Sequence, residues 1–191
     1  MKSLKRKFSA LALTALFASM QISYAAIDTG LGVGNGGAVI NNTTGGFVNM
    51  TTGNGSANLN FNGDSHVNWN TLNVNKGENL NFNAVEGANN LTILNTVNQG
   101  MSNIYGQINA NSGIGKLIIS NPNGVLFDGA SFTTAGDAMI TTQPMTAAFV
   151  NGAMNISNVA TTTPVGVVTI KDSNFNVGGQ FNILAPSVNV V

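Results

Sequence analysis

Apolar and polar residues alternate with a period of two over much of the chain. In the stretch 57–61, the side chains of Leu59 and Phe61 fall on one face of an extended strand and asparagines fall on the other. The same alternation recurs at Val67/Trp69, Leu72/Val74, Leu80/Phe82, Phe175/Val177, Phe181/Ile183 and Val188/Val190. No helical period extends through residues 26–191, and corners rich in Gly and Asn separate the alternating segments. This pattern predicts an all-β protein of many short strands.

Similar strand sequences recur about one turn of a solenoid apart. Asn-Leu-Asn-Phe at 58–61 returns at 79–82, and this offset lies in the range of units that stack into solenoids. The chain has 31 asparagines among its 191 residues, and stacked asparagine amides can hydrogen-bond in ladders. A β-sandwich would show similar alternation, so both architectures stay open from the pattern alone, with the solenoid favoured.

Two segments depart from the alternation. Residues 27–55 are rich in Gly, Asn and Thr, and they predict weak strands or loops that cap the N-terminal end of a stack. Within them, Gly30–Gly37 has the glycine content of a phosphate-binding loop, but no helix and no Walker-type lysine follow, so we interpret it as a turn region. Residues 141–163 are the least regular part and predict an excursion from the stack.

The segment 1–25 has the organisation of a secretory signal peptide. Met1–Lys7 holds four of the seven basic groups, Phe8–Met20 is apolar, and the small residues Ser23 and Ala25 form a cleavage site. The apolar run is shorter than the roughly 20 residues that a membrane span needs. We therefore expect cleavage after Ala25 and one continuous domain over residues 26–191.

Removal of this segment makes the chain acidic. Three lysines (Lys76, Lys116 and Lys171) against seven carboxylates leave a net charge of −4, and no arginine remains. A nucleic-acid partner is excluded because such binding requires a basic surface. The chain has no cysteine, so packing and backbone hydrogen bonds must hold the fold. Our hypothesis is that the absence of disulfides also leaves nothing to lock the chain prematurely if it must stay unfolded while crossing a second membrane.

The sequence offers little chemistry for catalysis. His66 is the single histidine, and its neighbours Asp64 and Ser65 alternate in direction along a strand, so they do not form a triad. One histidine without cysteine excludes a zinc site, and the nonapeptide calcium repeat is absent. Trp69 sits at an apolar alternation position and is predicted to be core. We therefore expect no enzyme activity, no cofactor and no metal.

Five short motifs follow one another in a defined order. They are Trp69 with Asn73; Asn95-Thr96-Val97; Ser102-x-Ile104-x-Gly106; Asn121-Pro122-Asn123-Gly124-Val125; and Gly178-Gly179 before Leu184-Ala185-Pro186. Together they resemble the N-terminal secretion domain of two-partner-secretion exoproteins, the filamentous-haemagglutinin family, and in particular its high-molecular-weight adhesins. Two positions depart from the family pattern, because Thr96 stands where arginine is usual and Val125 replaces isoleucine.

The resemblance implies a right-handed parallel β-helix with an N-terminal cap and a few antiparallel extra-helical strands. It also implies export through the periplasm to the cell surface by a dedicated outer-membrane transporter, whose periplasmic domains receive the chain. Folding of the β-helix would then begin at the cell surface. The transporter-recognition motif would be Asn95, Ser102, Ile104, Gly106, Asn121, Pro122, Asn123, Gly124 and Val125.

Proteins of this family usually continue into a long adhesive shaft, so the resemblance implies either a larger adhesin, truncated here at its C-terminus, or a short exported form. A host receptor or glycan would be bound by the region beyond this domain. Two other interpretations stay open: a self-assembling, Asn-rich fibre protein and, less favoured for want of clustered carboxylates and basic groups, a polysaccharide-active β-helix enzyme. The family resemblance predicts that lysine at Asn121 or Asn123 impairs export more than stability.

Overall fold

The computed structural model describes residues 26–162 and 165–191. The predicted signal peptide lies outside the described residues. Within them the secondary structure consists of β-strands, with no α-helix. The described part of the chain also contains no helix long and apolar enough to span a bilayer.

Seventeen strands are present in these two ranges. In chain order they are β1 (Ile27–Asp28), β2 (Val39–Gly53), β3 (Ser56–Thr71), β4 (Asn79–Ala84), β5 (Leu91–Val97), β6 (Ser102–Ile104), β7 (Gln107–Ala110), β8 (Ile114–Ser120), β9 (Val125–Asp128), β10 (Ser131–Thr134), β11 (Asp137–Thr141), β12 (Met145–Val150), β13 (Ala153–Asn158), β14 (Val168–Lys171), β15 (Asn174–Val177), β16 (Phe181–Leu184) and β17 (Val188–Val190).

The strands stack into three parallel faces around one interior. Face A contains the first half of β3 with β4, β7, β10 and β15, and face B contains the second half of β3 with β5, β8, β11 and β16. Face C contains β6, β9, β14 and β17. The chain visits faces A, B and C in turn before it starts the next coil. This arrangement confirms the prediction of an all-β, parallel β-helix and rules out the sandwich.

The interior is filled by the apolar positions of the alternating segments. Phe61, Phe82 and Trp69 are fully buried, so the core assignment of Trp69 is confirmed. The rings of Phe61 and Phe82 stack with centroids 6.2 Å apart, and Phe132 stacks on Phe175 at 5.6 Å. Since each coil buries its apolar face against the next one, stability grows through contacts between neighbouring coils.

The coil offset is close to the spacing of the repeated motif, which is roughly one coil. Asn58 pairs with Asn81, 23 residues further along the chain, and Leu59 pairs with Phe82. The solenoid interpretation of the repeat is therefore confirmed, although the paired positions differ from the repeated ones by two residues. The next coil is longer, because Leu80 pairs with Ile108. Alternation survives a shift of two positions, and so a repeated motif does not define the register.

Asparagine ladders run along the outside of face A, as expected for stacked coils. Asn109 Nδ2 donates to Asn81 Oδ1 and Asn81 Nδ2 donates to Asn58 Oδ1, both at 3.0 Å. In the neighbouring row, Asn83 donates to Asn60 at 3.4 Å. Each ladder bond joins two coils along the β-helix axis.

The N-terminal cap adds antiparallel strands to the edge of the parallel sheet. Strand β2 pairs antiparallel with β3, and β1 pairs with β2. The β2–β3 turn contains Asn54 and Gly55 with φ angles of 51° and 71°, the left-handed values of a tight hairpin. Leu31 and Ile40 of this cap are buried in the core, which confirms the capping role of residues 27–55.

The predicted excursion is an antiparallel hairpin of β12 and β13. Its turn is Asn151-Gly152, again with positive φ angles. The hairpin lies against the outer surface of face B, where Leu94 and Ile118 are buried although they do not belong to the interior core. The hairpin therefore gives the stack a second, external apolar contact.

The final coil is less buried than the alternation predicts. Phe175, Val177 and Ile183 are half-buried against the core, whereas Phe181 and Val190 are 36% and 75% exposed. No described strand lies on the outer side of β15, β16 or β17. The apolar positions of this coil therefore lack the neighbour that buries such positions elsewhere.

Candidate functional site

The Asn121–Gly124 corner connects faces B and C between β8 and β9. Gly124 N donates to Asn121 O at 3.0 Å, and Asn123 N donates to Asn121 Oδ1 at 2.9 Å. Gly124 has a φ of 106°, which favours glycine there. The corner is thus a tight turn held by its own first asparagine, as the sequence suggests for this tetrapeptide.

Asn121 also ties this corner to the preceding coil. Its side chain is fully buried, and Nδ2 donates to Gly100 O at 3.0 Å and to Ser102 Oγ at 2.9 Å. Ser102 N in turn donates to Gly124 O at 3.1 Å. The fold therefore brings together two motifs that are separate in the sequence, and their polar side chains satisfy each other inside the protein.

The next coil covers the same corner. Asn121 N donates to Thr141 O at 2.9 Å, and Gly166 N donates to Pro122 O at 2.7 Å. A Cβ on Gly166 would lie 2.5 Å from Gly124 N, so the two chain segments are in close contact. Because the β12–β13 hairpin leaves after Thr141 and the chain returns before Gly166, the corner lies at the root of that hairpin.

The other predicted site residues hold the scaffold of the same and neighbouring coils. Ile104 is fully buried and pairs with Phe127 of the next coil. Gly106 is at the turn from face C to face A, where a Cβ would clash with the carbonyl oxygens of Asn75 and Glu78. Val125 is buried at the start of β9. These positions shape the coil around the corner and do not hydrogen-bond to it through their side chains.

Asn95 is separate from the corner network. Its Oδ1 accepts a hydrogen bond from Trp69 Nε1 at 2.9 Å, and its Nδ2 donates to Ile118 O at 3.1 Å. Asn95 is fully buried, so this amide satisfies the indole in the interior and binds the next coil. The structure thus places Asn95 in the interior of face B, away from Asn121.

Accessibility divides the predicted motif into two parts. Asn95, Ser102 and Asn121 are all 0% exposed. Asn123 is exposed and Pro122 is half-buried. A partner that meets the folded protein can therefore reach Pro122 and Asn123, whereas the buried amides and hydroxyl are available only when the coils are apart.

A groove of about 150 Å³ lies beside Pro122, between the hairpin root and face B. Its lining includes His66, Thr96, Ser120, Pro144 and Met145. His66 Nε2 is 2.7 Å from Thr96 Oγ1, and burial lowers the pKa of His66. No sequence pattern predicts this groove directly. Asn151-Gly152 is a hairpin signal, however, and the root of that hairpin forms one side of the groove.

The ionisable groups of the described residues form surface ion pairs and no candidate metal centre. No group of three or more His, Cys, Asp or Glu residues is suited to a metal within residues 26–162 and 165–191. Lys116 lies 3.9 Å from Asp137, and Lys171 lies 3.2 Å from Asp128, each joining adjacent coils on the surface. What the site offers chemically is hydrogen bonding by amides, a hydroxyl and backbone groups.

The described residues define a class of fold: a parallel β-helix with an antiparallel N-terminal cap and an extra-helical hairpin. No family model matches the sequence, and no curated protein matches it. Among solved structures, the HMW1 secretion domain from Haemophilus influenzae is similar, with a TM-score of 0.58 and 17% sequence identity. The match covers 75% of this chain and 43% of that chain, so this chain spans less than half the length of that structure. At this identity the likeness shows the fold alone.

Proposed function

We propose that residues 26–191 are the secretion-recognition domain of an exported adhesin that uses the two-partner route. The observation that carries the proposal is the buried network of Asn121, Ser102 and Gly124, which unites two motifs of the predicted recognition signal in one corner. The likeness to the HMW1 secretion domain supports it. The partner is an outer-membrane transporter with periplasmic receiving domains, and no catalytic step is involved.

Burial of the motif determines the state in which it is read. The side chains of Asn121, Ser102 and Asn95 become accessible only before the coils assemble. The transporter therefore meets the chain extended, where alternating strands can add to a receiving sheet through main-chain hydrogen bonds. Few charges and no disulfides favour passage of such a chain.

Assembly of the coils then opposes return through the pore. The cap closes the first coil, and each later coil buries its apolar row on the one before it. The corner network forms only when three coils are in place, because Asn121 contacts both the preceding and the following coil. Folding at the cell surface thereby converts export into a directional process, and any receptor-binding or glycan-binding region of the adhesin is displayed outside.

The test compares lysine substitutions at the two asparagines of the corner. Asn123 is exposed, so Asn123→Lys should lower export into the medium while the urea midpoint of the purified protein stays within experimental error. Asn121→Lys buries a charge and should reduce both. Asn89→Lys, at an exposed site on another corner, is the matched control and should be exported normally. If Asn123→Lys is exported like Asn89→Lys, the exposed part of the corner is not read by the transporter.

A further inference from the structure

The β12–β13 hairpin covers an apolar strip on the outside of the β-helix. Leu94 and Ile118 point outward from face B, yet they are 0% and 3% exposed. Met145, Met154 and Ile156 of the hairpin lie across this strip and line the same cavity as Ile118. If the hairpin moved away, the strip would be open to solvent.

The single histidine of the chain lies under the root of this hairpin. His66 is on the outer side of β3, next to Leu94 in the parallel register. It contacts Thr96 Oγ1 at 2.7 Å and lines the groove shared with Pro144 and Met145. The imidazole therefore sits where the hairpin joins the stack, in a groove lined by apolar side chains and by uncharged polar ones such as Asn98 and Ser120.

Little in these surroundings can compensate a positive charge on the imidazole. The segment 138–170, which includes the hairpin, has no charged residue, and β5 and the facing part of β2 have none either. Asp64, on the same outer side of β3, uses Oδ1 to accept a hydrogen bond from Thr92 N at 2.8 Å. Lys116 on β8 faces Asp137 and adds positive charge. A buried cation in this position is therefore unfavourable.

We propose that the hairpin is an acid-sensitive strap: protonation of His66 releases the hairpin root from face B and uncovers the strip of Leu94 and Ile118. The neutral imidazole fits the covered groove, and the imidazolium requires water that the open form supplies. This inference concerns the folded domain and does not depend on the proposed secretion function.

The direction of the pH dependence follows from the burial of His66. Burial lowers the pKa of His66 in the closed form, whereas the open form titrates near the ordinary value of about 6.5. Above that pH both forms are neutral, and closure has its full stability. As the pH falls below it, the open form gains a proton first, and the opening constant rises by up to about tenfold per pH unit until the closed form titrates too.

The experiment uses the absence of cysteine in the chain. A single Ile118→Cys variant is labelled with a methanethiosulfonate reagent between about pH 5 and pH 7.5, the range in which histidine titrates. Its rate is divided by that of Ser112→Cys, an exposed position, to remove the pH dependence of thiol reactivity. The ratio should rise several-fold as the pH falls. Adding His66→Gln, which keeps a hydrogen-bonding side chain, should abolish that rise.

A second measurement avoids substitution of the covered position. The imidazole resonances of the unsubstituted chain, which come from one histidine, should titrate below the ordinary value, and the methyl signals of Leu94 should shift with the same midpoint. Asp64→Asn should move this midpoint lower still. The proposal is overturned if the labelling ratio is independent of pH, if it rises equally with His66→Gln, or if His66 titrates at its ordinary pKa.

Discussion

Two buried asparagines, Asn121 and Asn95, each make several side-chain hydrogen bonds that hold the coils together. Asn121 has three hydrogen-bonding partners in its side chain alone: Gly100 O, Ser102 Oγ and Asn123 N. Asn95 similarly satisfies the indole of Trp69. These polar residues are part of the interior, Asn121 at a coil corner and Asn95 within β5, so their removal leaves buried groups without partners.

Asn121→Ala should lower the free energy of unfolding by about 1–3 kcal/mol, since it leaves a buried hydroxyl and a carbonyl unsatisfied. Asn123→Ala, at the exposed position of the same turn, should change it by less than about 0.5 kcal/mol. Urea denaturation followed by circular dichroism measures both. Equal losses for the two variants would show that the turn itself, and not the buried amide, supplies the stability.

Gly45→Ala should weaken the contact between the cap and the hairpin. Gly45 has a φ of 89°, and a Cβ there would clash with Asp64 O and lie 2.6 Å from the Phe149 ring. Strain and displacement of Phe149 should together cost about 1–3 kcal/mol. Gly53→Ala is the control, because a Cβ at Gly53 meets nothing within 4 Å. Thermal unfolding should separate the two variants by several degrees, and coincident curves would contradict the close contact.

At the scale of strands, alternation identified the elements and the inward faces but not their pairing. Leu59, Phe61, Val67 and Trp69 are all buried as the pattern predicts. The repeated Asn-Leu-Asn-Phe motif indicates the length of a coil only to within two residues, because a shift of two keeps every side chain on its face. The site shows the same limit, since no local pattern indicates that Asn121 reaches back to the preceding coil. That contact depends on the stacking of coils.

The asparagine ladders should contribute measurably to coil stacking. Asn81 is in the middle of a ladder, where it donates to Asn58 and accepts from Asn109. Asn81→Ala should therefore cost about 1–2 kcal/mol through two lost hydrogen bonds. Asn176→Ala tests the same row of face A in the exposed last coil and should be nearly neutral. Guanidinium denaturation measures the difference. An unchanged free energy of unfolding for Asn81→Ala would show that the ladder does not stabilise the stacking of coils.

At the scale of the whole molecule, the cap covers the first coil of the stack, and the last described coil is the least buried one. The Gly/Asn-rich composition of residues 27–55 predicts the cap, and the irregular pattern of residues 141–163 predicts the excursion. No sequence pattern predicts that the hairpin packs on Leu94 and Ile118. These two residues follow other apolar residues, and only the path of the coil determines that they point outward.

A proline in the middle of the stack should disrupt the whole β-helix. Ile119→Pro interrupts β8, which pairs on both sides with β5 and β11, and should cost about 3 kcal/mol or more. Val190→Pro, in the exposed strand β17, is the control and should leave the fold intact. Hydrogen exchange should show loss of protection on both sides of β8. Protection that persists in faces A and C would show that the coils are independent.

The direction of the hydrogen bonds between coils also determines how the molecule responds to force. The hydrogen bonds between coils run along the β-helix axis, so tension applied at residue 191 loads one coil at a time. Equivalent positions are 23 residues apart from Asn58 to Asn81, and 43 residues apart from Asp128 to Lys171, across the hairpin. Single-molecule pulling should therefore give successive low-force steps, the longer coil releasing about 145 Å and the shorter about 80 Å of extended chain. One abrupt rupture would instead mean that the coils unfold together as a single unit.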